Sequence, residues 1–85
     1  MPQYLLELYV ARSSAVPLQA AGRARATANA MSRGGHRVRY LRSIFVPEDE
    51  TCFLLFEAAS PELVGEASRR AALGHHRIVE AIGES

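Results

Sequence analysis

Apolar residues alternate with a period of two in four stretches of the chain and recur at helical spacing in two others. In the first stretch Tyr4, Leu6, Leu8 and Val10 share one side, and Leu5, Glu7 and Tyr9 share the other. That pattern predicts a strand over about Gln3 to Ala11. Arg12 to Val16 reads as a connector. Pro17 suits a first helical position, where its missing N–H is no loss. The helix then runs to about Arg33, with Leu18, Ala21, Ala24, Ala28 and Met31 as its apolar stripe. Gly34 and Gly35 end it, because glycine accepts the left-handed backbone of a helix stop.

A second strand is expected over about Arg37 to Val46 and a third over Thr51 to Ala58, joined by the acidic hairpin loop Pro47-Glu48-Asp49-Glu50. Setting Val46 against Thr51 places Phe45 opposite Cys52, Leu41 opposite Phe56 and Tyr40 opposite Glu57, which keeps each pair on one face. Ser60, Pro61 and Glu62 form a good helix start. Leu63, Val64, Ala67 and Ala71 give that helix its inward stripe, and Gly74 stops it. The last strand runs from about Arg77 to Ile82.

The order β-α-β-β-α-β over residues 1–85 is the α+β, ferredoxin-like split βαβ plan, here as a single domain. It implies a four-stranded antiparallel sheet in the order 4-1-3-2 with both helices on one face. The helix side should collect Leu6, Leu8, Val10, Leu41, Phe45 and Cys52, with Leu54, Phe56, Val79 and Ala81. The open side should collect Leu5, Glu7, Tyr9, Tyr40, Arg42 and Ile44, with Phe53, Leu55, Glu57, Ile78, Glu80 and Ile82. This second set is too apolar for a solvated face, since a monomer exposes apolar patches of only a few hundred Å². Pairing sheet against sheet would cover it, which predicts a homodimer of the dimeric α/β-barrel type.

Three carboxylates on that face, Glu7, Glu57 and Glu80, change the picture, because burying a carboxylate costs free energy unless it is paired, hydrated or neutralised. In one reading Arg42 neutralises Glu57, and the row of charges fixes dimer register. In the other, Glu7, Tyr9, Tyr40, Arg42, Glu57 and Glu80 line a ligand pocket. Two carboxylates held close there would share a proton and could serve as acid or base.

The remaining candidates are weaker in pattern. His36, His75 and His76 are the three histidines. His36 opens the second strand and His75-His76 opens the fourth. Placing both strand starts at one end of the sheet would let them approach, with a carboxylate, as a nickel, zinc or copper site. Cys52 alternates into the core as a small hydrophobe. Pro2 would become an N-terminal secondary amine, the base used by tautomerases, if Met1 were removed.

Bulk properties exclude more than they select. Ten Lys+Arg, all arginine, against nine Asp+Glu give a net charge of +1, which makes no case for nucleic acid or an anionic membrane. One cysteine excludes an internal disulfide and fits a reducing compartment. No apolar run reaches membrane-spanning length. Glu7 interrupts the N-terminal apolar run, so no secretory signal is expected and a cytoplasmic protein is the default.

The stretch from Val38 to Ser43, the block Phe45-Val46-Pro47-Glu48-Asp49-Glu50-Thr51-Cys52-Phe53 and the closing Ala72 to Ala81 resemble a family of small bacterial domains, mostly of unknown function, labelled nickel-binding or nickel-responsive. The likeness spans nearly the whole chain and implies a ferredoxin-like dimer. With that label, the expected role is non-enzymatic binding, with a divalent transition metal such as nickel held by His36, His75 or His76 together with a carboxylate. The alternative is a small-molecule binder or isomerase-type enzyme using the sheet cavity. A third option is a partner-binding module.

Overall fold

The computed structural model describes residues 1–12 and 16–83, and the elements occur in the expected order. They are β1 (Gln3–Tyr9), α1 (Val16–Arg33), β2 (Val38–Val46), a 3-10 turn (Pro47–Asp49), β3 (Thr51–Ala58), α2 (Pro61–Ala71) and β4 (Arg77–Ala81). Part of the connector expected over 12–16, residues 13–15, lies outside the described residues. All three strand pairings are antiparallel, and the order β2-β3-β1-β4 is that of the ferredoxin-like plan.

The helix side of the sheet is a dry core. Leu6, Cys52, Leu54 and Phe56 lie on it, fully buried, with Tyr4 and Leu8 beside them. Helix α1 meets this core through Ala20, Ala24, Ala28 and Met31 rather than through Leu18, which is 83% exposed. The alanine-rich sequence hides the phase of the helix, because almost any stripe drawn along it is apolar. Three alanines and a methionine let the helix sit close to the sheet. At its end, the Gly35 backbone is left-handed (φ 95°), and the His36 amide donates to the Met31 carbonyl at 3.0 Å.

Helix α2 starts as its sequence requires, with the Leu63 amide donating to the Ser60 hydroxyl at 3.4 Å. It stops before Gly74. Ala72 takes the left-handed position (φ 54°), and the Leu73 amide donates to the Ser68 carbonyl. Arg23 then reaches across from α1 and donates to the Ala71 carbonyl, satisfying an orphan acceptor at the helix end.

Two register features depart from simple alternation. The expected pairing of β2 with β3 holds from Arg42 to Val46, but a bulge between Tyr40 and Arg42 inserts one extra residue, Leu41. Below it Tyr40 opposes Phe56 and Arg39 opposes Glu57, so both trade faces relative to the unbulged register. On β4, Ile78 opposes Leu6 and Glu80 opposes Tyr4, which places both on the helix side. Val79, Ala81 and Arg77 therefore take the open side. Ile78 then packs against the helix-side core, with its Cδ1 near Gly65 of α2.

Candidate functional site

The open face of the sheet is the surface with chemistry on it, and its rows follow from the register. One row reads Ile44, Phe53, Glu7, Arg77 across the four strands. The next reads Arg42, Leu55, Leu5, Val79, and the one beyond it Arg39, Glu57, Gln3, Ala81. The apolar side chains form a continuous band through the middle. Ion pairs stand at two opposite corners. Arg77 Nε lies 3.1 Å from Glu7 Oε2, and Arg39 Nη1 lies 3.4 Å from Glu57 Oε1.

This arrangement dissolves the polar row expected across the sheet. Glu80 stands on the helix side and is exposed. Tyr40 is also on the helix side, its ring edge-on to Phe56 at 5.7 Å and under the Arg25 guanidinium at 5.3 Å. Glu7 and Glu57 do share the open face, but Gln3 rather than Glu7 opposes Glu57. Four residues along a strand are about 13 Å, so the two carboxylates cannot share a proton. Arg39, which sequence reasoning left out, neutralises Glu57 in place of Arg42. Arg42 stays on the open face at the rim with no side-chain partner among the described residues. Tyr9 remains on the open face beside the row of Glu7.

The histidines separate in the same way. Strand β2 runs parallel to β1 and β4 runs against it, so β2 and β4 begin at opposite ends of the sheet. His36 therefore lies at the far end from His75 and His76. His75 Nδ1 and the buried Ser68 hydroxyl share a hydrogen bond of 2.5 Å. The His76 ring packs on Tyr9 with centroids 4.6 Å apart, and its amide donates to the Glu7 carbonyl. Among the described residues no three His, Cys, Asp or Glu side chains gather as a metal-binding group. The three histidines thus do not fit one metal ion within a chain.

Cys52 is fully buried, and burial pushes its thiol above the ordinary value. Such a thiol is packing material and not a nucleophile. A shallow groove of about 460 Å³ opens at the top of the sheet, between Tyr9, Val10, Ala11, Asp49 and Glu50. The hairpin tip is fixed there, since the Val10 amide donates to the Glu50 carbonyl at 2.7 Å. No described helix is long and apolar enough to cross a membrane.

The sheet, its order and its one-sided helices define an α+β protein of the ferredoxin-like fold. No protein-family model matches the chain, and no curated protein matches it. The fold is similar to that in the crystal structure of SCO4226 from Streptomyces coelicolor A3(2), with a TM-score of 0.71 and 18% sequence identity over 98% of this chain and 99% of that one.

Proposed function

We propose that this chain is a non-catalytic binding protein whose working surface is the open face of its sheet. One observation carries the reading. Leu5, Ile44, Phe53, Leu55 and Val79 form a contiguous apolar band with no helix over it, bounded by two ion pairs. A sheet face left to water would alternate to polar residues on that side. A nickel ion would need donors from more than one chain, because His36 stands far from His75 and His76.

Hydroxyl-radical footprinting of the purified native protein tests the reading. Ile44, 46% exposed in the single chain, and Leu55 should be protected to the level of core Leu54. Labelling of Ile44 at the rate of Leu18 would overturn it. Calorimetry with nickel on untagged protein tests the metal rival. Heat at one ion per chain, abolished by joint replacement of His75 and His76 and unchanged when the open face is disrupted, would replace the proposal with a single-chain metal site.

A further inference from the structure

Resting on that reading of the open face, we infer that its occupant is a medium-chain carboxylate amphiphile, with its head on Arg42 and its tail laid across the sheet. The register supplies the bed. Arg42 stands opposite Leu55, Leu55 opposite Leu5 and Leu5 opposite Val79, so one cation and three apolar side chains form a single row. The row crosses three strand spacings, about 14 Å, which is the reach of a carboxylate on an extended chain of about ten carbons. Ile44 and Phe53, in the next row, shoulder its Arg42 end. Leu5, Leu55 and Val79 are each only partly buried, so a tail lying over them removes further apolar surface from water.

Charge selects the head group. The face carries Arg39, Arg42 and Arg77 against Glu7 and Glu57, and the two glutamates are taken by Arg77 and Arg39. Arg42 is exposed, with no side-chain partner among the described residues. The bulge in β2 creates this condition. Without Leu41 as an extra residue, Arg39 would oppose Ala58 on the helix side, and Glu57 would be left to Arg42. The bulge turns Arg39 onto Glu57 and frees Arg42. Re-aiming a side chain beside a site is a recurrent use of bulges. The freed guanidinium is planar and offers paired N–H donors that fit a carboxylate. One spare cation, on a face whose other charges cancel, matches a ligand with a single negative charge. It is too little for an anionic bilayer, which draws on clusters of basic residues.

The probe is decanoate below its micelle-forming concentration, added to the full chain after a hydrophobic resin has stripped retained amphiphiles. Calorimetry should show saturable binding. Arg42→Gln, at an exposed position that folding tolerates, should weaken it by about tenfold or more, the worth of a charge-assisted hydrogen bond. Arg42→Lys should recover part of that loss. Decanol, which keeps the tail and lacks the charge, should bind the parent and Arg42→Gln alike. Hydroxyl-radical labelling of Ile44 and Leu55 in the stripped protein should fall when decanoate is added. No heat from decanoate, with Ile44 and Leu55 protected both before and after stripping, would overturn the amphiphile while leaving the face a binding surface for another occupant. No heat, with both residues freely labelled in the protein as purified, would overturn both readings. Decanoate binding unchanged by Arg42→Gln would place the ligand elsewhere and overturn the inference. Retention on anionic vesicles without binding of monomeric decanoate would overturn it in favour of a membrane surface.

Discussion

Arg77 Nε donates to Glu7 Oε2 at 3.1 Å, from directly opposite on the neighbouring strand. The two ends of the bond are unequal. The arginine side chain is 61% exposed and the glutamate side chain only 11%. Removing the arginine therefore strands a nearly buried carboxylate, whereas removing the carboxylate frees a cation that water can solvate. Arg77→Ala should destabilise by about 1–3 kcal/mol, the cost of a buried polar group left unsatisfied. Glu7→Leu, of similar volume, should stay within about 1 kcal/mol of the parent, because an apolar side chain removes the desolvation penalty together with the pair. Urea unfolding of each variant at one fixed protein concentration reads the two changes. Equal losses from both substitutions would show that the pair is not asymmetric.

Ala72 holds a left-handed backbone at the end of α2, with φ 54° and ψ 48°. An L side chain pays about 1–2 kcal/mol there, and glycine does not. Glycine also loosens the unfolded chain, which returns about 0.4–1 kcal/mol of that gain. Ala72→Gly should then stabilise by about 0.5–1 kcal/mol in thermal or urea unfolding. Ala71→Gly, one residue earlier and still helical, should destabilise by a similar amount. The opposite signs at adjacent positions test the cap rather than the composition.

Much of this fold is legible in the sequence, and the misreadings have physical causes. Strand and helix spans follow from alternation and from the Ser60-Pro61 and Gly34-Gly35 boundaries. The hairpin register follows from facing pairs such as Phe45 with Cys52. The bulge at Leu41 is silent, because Tyr40 and Leu41 can each sit half-buried on either face. The side chosen by β4 is equally silent, since Ile78 and Ile82 compete with Val79 and Ala81 for the core. What settles it is a tertiary fact, the pairing that sets Ile78 opposite Leu6 and against the helix-side core. Within one chain His36 stands apart from His75 and His76, because the split βαβ plan starts β2 and β4 at opposite ends.

Glu66 on α2 accepts from Arg69 at 2.5 Å and Arg70 at 2.9 Å. These hydrogen bonds, Arg69 first, hold its carboxyl below the ordinary glutamate value. A carboxylate lowered in the folded state contributes stability above its unfolded value, and that contribution disappears as pH falls through the folded one. The carbon-detected titration of Glu66 should therefore have its midpoint on the acid side of a free glutamate. Joint replacement of Arg69 and Arg70 by glutamine should return it to the ordinary range. An unmoved midpoint would show that the pairs do not persist in solution.

Cys52 is fully buried on β3, between the sheet and the helices, and the loss of solvent raises its thiol above the ordinary value. The nucleophile in alkylation is the thiolate, so both access and ionisation protect it. Iodoacetamide should leave the native protein unmodified and label it at a rate set by opening of the fold. Urea below the unfolding midpoint should speed that labelling in step with the loss of global stability. The linkage also has a sign. A thiol raised by folding keeps its proton while the unfolded chain ionises, so stability should fall as pH climbs past the ordinary thiol value. Cys52→Ala should flatten that alkaline decline. It should also lower stability at neutral pH, because the cavity left by sulfur loses packing contacts. Rapid labelling of native protein at neutral pH would show that the helix-side core is open at Cys52, contrary to its burial.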